Sequence, residues 1–248
     1  MLGRQGRLAS HPAVRAGPFT GTTMASGLFP IFLRVESLPI LIVGGGRVGA
    51  RRARKLTEAG ARRLTVVSPA FDAAMPEGVT RVGEPFRPDH LAGQRVVFAA
   101  TSSQEVNRVV CEAAEAAGLL CGRADDPEAG DFITPAVGGA GEVVIAVASG
   151  TPAVSRRVRD AAQATASQWA KVARVAGAMR RSLTGDAPAR SLILGDLVSD
   201  EALEVLRAEG LGGLRVWLRA RHGQWRQEID TAFLRLRAAG GPASNQGS

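Results

Sequence analysis

Short apolar runs and segments of helical spacing alternate along the first 150 residues. The apolar runs predict strands at 38–43, 64–67, 95–100, 119–123 and 143–147. Helical spacing follows two of these runs, over 48–59 and 104–117, and ends each time at a glycine, Gly60 or Gly118. Strands that alternate with helices and carry few charges are typical of a buried parallel sheet. The pattern therefore predicts an α/β fold of the Rossmann type.

The turn after the first strand carries a GxGxxG motif at 44–49. Gly44 allows a tight turn, Gly46 removes the side chain that would block a pyrophosphate, and Gly49 lets the helix pack closely on the strand. The helix and the strand at 64–67 complete a βαβ unit of the length such sites require. A glycine-rich turn without a ligand is the alternative, but three glycines at these spacings favour a dinucleotide.

The second strand ends at Ser68, Pro69 and Ala70, where many NAD enzymes carry an acidic residue that binds the ribose hydroxyls. No acidic residue stands there, so the ribose must be held by backbone groups or by Ser68. Neither an acidic residue nor a clear arginine follows Val67. Residue chemistry alone therefore leaves NAD and NADP open.

Other polar residues follow the later strands. Thr101 closes the strand at 95–100, and Asp125 follows the strand at 119–123. The carboxyl ends of parallel strands meet at one edge of a sheet, where ligands of open α/β folds bind. We therefore expect Gly44, Ser68, Thr101 and Asp125 to lie along one rim.

The last third of the chain loses the strand signal. A helix is predicted from Pro152, capped by Thr151, to about residue 165. Further helices are predicted at 169–183, 200–208, 211–220 and 225–239. This pattern predicts a small helical domain after residue 166.

Composition narrows the class of partner. The net charge of +8 comes almost wholly from arginine, and it attracts anions. Aromatic residues are only 4% of the chain and no DNA-binding motif is apparent, so an acidic small molecule is favoured over nucleic acid. No apolar run reaches the roughly 20 residues that cross a bilayer, so a cytoplasmic protein without membrane contact is expected. Cys111 and Cys121 are expected to be reduced core residues, with no disulfide or zinc site.

Both ends of the chain are expected to be disordered. Residues 1–26 contain three arginines, no acidic residue and no periodicity. A transit-like peptide and a translation start at Met24 both remain open for this leader. Residues 241–248 form the predicted tail. Between these ends we expect a nucleotide-binding domain at 27–136, a dimerisation and substrate segment at 137–165, and a helical domain at 166–240.

Several motifs occur together in one known order. They are the entry at 28–33, the nucleotide turn at 43–49, the strand end at 99–101, the pair Asn107-Arg108, and the segments 125–127 and 131–136. In this order they resemble the precorrin-2 dehydrogenase/sirohydrochlorin ferrochelatase family, which also forms the amino-terminal half of siroheme synthases. The resemblance covers about residues 28 to 160.

The resemblance implies a homodimer that uses NAD to oxidise precorrin-2, a tetrapyrrole with eight carboxylates, to sirohydrochlorin. Such a substrate agrees with the basic charge. The chain is too short to hold the methyltransferase half of the fused synthases. Ferrous insertion into sirohydrochlorin is left open, because residues 122–124 and 149–152 depart from the family pattern near the tetrapyrrole pocket.

The resemblance also implies roles for single residues. Asp125 falls where the family has an aspartate proposed to serve both reactions, and a carboxylate there can accept the proton that the macrocycle loses with its hydride. Ser149 matches a serine of the substrate region. The structural alternatives are an Asx turn before Pro127 and an ordinary loop before a helix.

For the cofactor, the family pattern places Arg47 and Val48 at the pyrophosphate and Pro69 and Ala70 near the adenosine. An exposed arginine at the start of a helix is the alternative for Arg47.

Two other classes compete with this interpretation. A non-catalytic nucleotide-sensing module also opens with GxGxxG, but it typically keeps an acidic residue after the second strand, where Ser68 stands here. A short-chain reductase needs a tyrosine as its acid, and the chain contains none.

Overall fold

A computed structural model describes residues 27–239 of the chain. The predicted leader at 1–26 and the predicted tail at 241–248 lie outside these residues. The first part is a parallel five-stranded sheet of order β3-β2-β1-β4-β5. Its strands are β1 (Ile40–Val43), β2 (Leu64–Val67), β3 (Thr80–Val82), β4 (Val96–Ala99) and β5 (Leu120–Arg123). The α/β fold that the pattern predicted is confirmed.

Helices α1 (Arg47–Glu58) and α2 (Gln104–Ala116) accompany this sheet. Alternate side chains of a strand point to opposite faces, and β1 accordingly contributes to two apolar clusters. Ile40 and Ile42 pack in the cluster that contains residues of α1, whereas Leu41 and Val43 pack in the cluster that contains residues of α2. β1 is therefore buried on both faces, which explains its uninterrupted apolar sequence.

The expectation of reduced cysteines is wrong in this structure. Cys111 of α2 and Cys121 of β5 form a disulfide, with their Cα atoms 5.4 Å apart. The helical spacing of α2 turns Cys111 toward β5, on which the helix packs. Sequence separation alone could not show this, because the pairing depends on how the helix lies over the strand.

A hairpin and a long helix follow the sheet. β6 (Ala136–Ala140) and β7 (Val143–Val147) pair antiparallel, and α3 (Pro152–Ser182) packs against both strands. The prediction of separate helices at 152–165 and 169–183 is wrong. Residues 166–168 include no helix breaker, so one helix of 31 residues forms.

The remaining helices build a second core with the carboxyl end of α3. They are α4 (Ala187–Leu197), α5 (Asp200–Arg221) and α6 (Arg226–Ala239). Gly210 breaks α5 with a φ of 66°, which agrees with the two helices predicted around it. α4 was not predicted. A boundary at 165/166 falls inside α3, and the division into domains stays a prediction.

Among residues 27–239, no helix combines the length and apolar character that a bilayer crossing requires.

Candidate functional site

The nucleotide turn lies at the carboxyl end of β1, in the middle of the sheet. Gly44 has a φ of +114°, and a Cβ there would lie 2.5 Å from the Ala100 carbonyl oxygen. A Cβ on Gly49 would collide with the Gly44 carbonyl oxygen. Both contacts are with backbone, which cannot move aside. The fold itself therefore requires glycine at these two positions.

Gly46 differs from these two glycines. A Cβ at Gly46 would meet no atom within 4 Å, and its φ of −71° is open to any residue. Gly46 is the N-cap of α1, where no side chain caps the helix and the first turn holds no acidic residue. Arg47 and Val48 are exposed beside it. An open helix N-terminus with uncapped N–H groups and positive dipole fits a pyrophosphate.

The end of β2 lies directly against this turn. A Cβ on Gly45 would meet the Ala70 carbonyl oxygen and the Ser68 side chain, and the Asp72 N–H donates to the Gly45 carbonyl oxygen over 2.8 Å. Pro69 and Ala70 are exposed. The structure thus brings residues 68–70 next to the glycine turn, where the adenosine side of a bound dinucleotide would lie.

Asp125 follows β5 at the same edge of the sheet, two strands from the turn. Arg123 donates from Nη2 to Asp125 Oδ2 over 2.7 Å, and Asn107 donates from Nδ2 to Asp125 Oδ1 over 2.8 Å. Only 17% of the Asp125 side chain is exposed, although its backbone lies at the surface. The Arg123 hydrogen bond is the main cause that lowers the pKa of Asp125, and Asn107 adds to it. Asp125 is therefore an ionised carboxylate held in one place.

Thr101, at the end of β4, joins the same network. Its backbone N–H and its hydroxyl both lie at hydrogen-bond distance from Asn107 Oδ1, at 3.0 and 2.8 Å, and its carbonyl accepts from Asn107 Nδ2 at 3.2 Å. The structure therefore brings together the predicted cofactor residue Thr101 and the predicted catalytic residue Asp125, with Asn107 between them.

Sequence reasoning missed the roles of Asn107 and Arg123. A signal existed for Asn107, because it shares the buried face of α2 with Val110 and Ala114, and a polar residue on such a face needs a partner. Arg123 gave no clear signal, since an arginine at a strand end is usually solvated.

The segment 131–136 packs over the sheet beside this network. Phe132 meets the Phe98 ring edge-on at 5.1 Å, and a Cβ on Gly122 would lie 2.6 Å from the Phe132 ring. Arg52 of α1 lies over the Phe98 ring and donates to the Thr134 hydroxyl. Burial, and secondarily the neighbouring Arg51, lowers the pKa of Arg52 to about 10. Glycine at 122 is thus needed to admit Phe132.

Ser149 lies apart from these residues, in the loop between β7 and α3. Its hydroxyl bonds the Thr151 carbonyl oxygen at 3.1 Å and the Ser155 hydroxyl at 2.8 Å. Within the described chain it makes no hydrogen bond to the sheet-edge residues. Its predicted contact with substrate stays a prediction.

Part of the chain is similar in sequence to known proteins. Residues 31–136 match the family model described as putative NAD(P)-binding. Siroheme synthase 1 of Aeromonas salmonicida (strain A449) is 40% identical over 159 residues, which are 61% of this chain and 34% of that protein. A siroheme synthase of Chromobacterium violaceum is 41% identical over 138 residues, which are 53% of this chain and 29% of that protein. The chain thus spans about a third of the length of these relatives.

A solved structure named SirC, precorrin-2 dehydrogenase, shares the fold. Its TM-score is 0.64 at 19% identity, and the match covers 82% of this chain and 99% of that one. The sheet, the glycine turn and the family match agree on a nicotinamide dinucleotide as the cofactor. Residues 31–136 are therefore similar to the putative NAD(P)-binding family, and this part of the chain is similar to siroheme synthases.

Proposed function

We propose that this protein is a dehydrogenase that oxidises precorrin-2 to sirohydrochlorin with NAD. The observation that carries the proposal is the ionised Asp125 carboxylate, fixed at the same sheet edge as an open dinucleotide turn. The names of the siroheme synthases and of SirC support the choice of substrate. The net charge of +8 suits a substrate that bears eight carboxylates.

The reaction removes a hydride and a proton from the tetrapyrrole. NAD, when bound, supplies the hydride acceptor. The open N-terminus of α1 at Gly46 would hold the pyrophosphate, with Arg47 and Val48 beside it and Ser68, Pro69 and Ala70 toward the adenosine. As the hydride leaves, positive charge develops on the macrocycle, and the Asp125 carboxylate stabilises that charge and accepts the proton. NADH, sirohydrochlorin and one proton are the balanced products.

The choice of NAD over NADP rests on the resemblance. Ser68 offers a hydroxyl to the ribose and no arginine stands at the end of β2 to bind a 2′-phosphate. Ferrous insertion is left out of the proposal, because residues 122–124 and 149–152 depart from the family pattern near the tetrapyrrole pocket. The proposal is therefore restricted to dehydrogenation, in the cytoplasm and without nucleic acid as a partner.

We also propose that the protein is a homodimer joined through the hairpin. Within residues 27–239, β6 and β7 pair only with each other. Gln163 of α3 bonds both the N–H and the carbonyl of Gly139, at 2.9 and 2.7 Å, and so covers the outer edge of β6. The outer edge of β7 has no backbone partner in the described chain. Four valines nearby, at 137, 144, 154 and 158, are 45 to 55% exposed.

Asp125→Asn tests the catalytic part of this proposal. The amide keeps the shape of the carboxylate but cannot accept the proton, so we expect kcat to fall by about 100-fold or more. NAD binding, measured by calorimetry, should stay within about twofold because Asp125 lies away from the glycine turn. The measurement is the rate of NADH formation from precorrin-2.

Asp126→Asn is the matched control, because Asp126 is the next carboxylate along and makes no side-chain cap bond. It should keep nearly full activity. Equal turnover in the Asp125 variant and the wild type would remove Asp125 from its role. A wild-type protein that binds NAD but never reduces it would favour the nucleotide-sensing module.

A further inference from the structure

The Asp125 carboxylate is held from two elements at once. Asn107 Nδ2 reaches it from α2 over 2.8 Å, and Arg123 reaches it from β5 with Nη2 over 2.7 Å and Nε over 3.4 Å. Asn107 is fully buried, and only 12% of the Arg123 side chain is exposed. Both oxygens of the carboxylate therefore have a donor within the protein itself. Water is not needed to orient it.

We propose that Asn107 and Arg123 are the positioning residues of Asp125. Asn107 orients the carboxylate, and Arg123 stabilises its ionised form. This inference rests on the proposed function, in which Asp125 accepts the proton. Neither residue needs to touch the substrate to act in this way.

The Asn107 amide has one orientation that satisfies its surroundings. The Thr101 N–H needs an acceptor, so Asn107 Oδ1 must face Thr101, and Nδ2 must then face the Thr101 carbonyl and Asp125. Reversing the amide would place donor against donor at Thr101. The backbone at the end of β4 thereby dictates that a donor points at the Asp125 carboxylate.

This arrangement also connects the carboxylate to the nucleotide turn. The residue before Thr101, Ala100, donates its N–H to the Val43 carbonyl at 2.8 Å, and its carbonyl oxygen lies 2.5 Å from the place that a Cβ on Gly44 would take. A continuous set of backbone and amide contacts therefore runs from the glycine turn through Thr101 and Asn107 to Asp125. The cofactor edge and the proton acceptor share one rigid support.

Arg123 supplies the charge that keeps Asp125 ionised. The other charged groups that act on the pair are Asp126, in the loop after β5, and Arg108 of α2, which is itself paired with Glu105 and Glu112. Within residues 27–239, Arg123 is the only cation that lowers the pKa of Asp125. A group with a lowered pKa stays ionised further into acid. Removal of Arg123 should therefore raise the pH below which Asp125 becomes protonated and the activity is lost.

Arg123→Leu tests this charge role through the pH dependence of kcat. We expect the acidic limb of the profile to move to higher pH, because loss of the Arg123 hydrogen bond and charge raises the pKa of the Asp125 carboxyl. Arg123→Lys, which keeps the charge, should stay closer to the wild type. Arg87→Leu is the matched control, because it removes an arginine from an ion pair of the same length, with Glu84, that does not include Asp125. Its limb should coincide with that of the wild type.

Asn107→Asp tests the orienting role. The aspartate keeps the shape of asparagine and can still accept from Thr101, but when ionised it repels Asp125 instead of donating to it. We expect kcat to fall by roughly 10 to 100-fold, as for a small misplacement of a reacting group, with the affinity for NAD unchanged. Ser103→Ala is the control for a weakened α2, because Ser103 caps that helix without contacting Asp125. Its kcat should remain near that of the wild type.

A measurement without turnover tests the Arg123–Asp125 ion pair separately from the proposed dehydrogenase activity. NMR titration of aspartate carboxyl carbons, with Asp125 assigned from Asp125→Asn, should show a midpoint below the ordinary range that rises in Arg123→Leu. An unmoved midpoint and an unmoved acidic limb would overturn the charge role, and an Asn107→Asp enzyme as active as Ser103→Ala would overturn the orienting role. If the wild type forms no NADH while the midpoint moves as expected, the proposed function fails and the ion pair stands. Should Asn107→Asp not fold, Asn107→Ala, which removes the donor without adding a charge, takes its place, and a kcat equal to that of Ser103→Ala would overturn the orienting role.

Discussion

The three motif glycines of the nucleotide turn serve two different purposes. Gly44 and Gly49 are required by backbone contacts inside the fold, whereas Gly46 faces open space at the start of α1. The sequence motif predicted all three, and the structure shows which of them leaves room for a ligand. For Asp125, the order of the strands predicted its position at the sheet edge. The sequence did not predict its hydrogen-bond partners.

Gly46→Asp should separate ligand binding from folding. Aspartate is among the best N-cap residues, and the extended backbone of Gly46 accepts it, so stability should be unchanged or slightly higher. Its carboxylate would occupy the open space and repel a pyrophosphate, so we expect the Kd for NAD to rise by about tenfold or more, about 1.4 kcal/mol. Calorimetry and thermal melts measure the two quantities. An unchanged Kd would mean that the pyrophosphate does not bind at this turn.

At the scale of elements, the sequence predicted best where local pattern decides. The bounds of β2 and β7 are as predicted, and Ser103 and Gly118 delimit α2 as their types suggest. β6 was missed as a pattern because its two glycines hide the alternation of a strand. α4 was missed although Asp186 caps it and Pro188 lies in its first turn. These elements depend on packing against α3 and its neighbours more than on their own periodicity.

The network around Asp125 belongs to a pair of elements, α2 and β5, which also carry the disulfide. Cys111 and Cys121 join the helix that holds Asn107 to the strand that precedes Asp125. No spacing rule predicts this link, since it arises only when the helix docks on the strand. The disulfide therefore adds a covalent tie to the support of the carboxylate.

Reducing this disulfide should lower the free energy of unfolding by about 2 to 3 kcal/mol, because it closes a loop of about ten residues. Urea unfolding with and without a reductant measures the effect. The Cys111→Ser/Cys121→Ser double variant should unfold at the same urea concentration in both conditions. Thiol labelling of the denatured, unreduced wild type should find no free thiol; two labelled cysteines would show that the disulfide is absent in solution.

The described molecule consists of a nucleotide-binding sheet, a hairpin on a long helix, and a helical bundle with a core of its own. The hairpin has the least stabilising contact of these three parts, because a two-stranded sheet with exposed valines is only marginally stable in water. Sequence predicted the sheet and most of the bundle. The sequence pattern alone could not show which edge of the hairpin has no partner, because that depends on how α3 covers the outer edge of β6 and leaves that of β7 uncovered.

Val144→Lys should convert the proposed dimer into a monomer. The lysine would place a charge on the open strand, a substitution that disfavours pairing between edges. Sedimentation equilibrium should give twice the chain mass of 25.8 kDa for the wild type and the single mass for the variant. Val216→Lys is the matched control, because Val216 is 62% exposed on α5, and it should leave the dimer intact. A monomeric wild type would contradict the proposed interface.

The most direct test of the account is the stoichiometry of the reaction with purified protein, precorrin-2 and NAD. We predict that one NADH appears for each sirohydrochlorin formed, at a rate that Asp125→Asn lowers by about 100-fold or more. Sirohydrochlorin formed without NADH, or a wild-type protein that leaves both compounds unchanged, would contradict it.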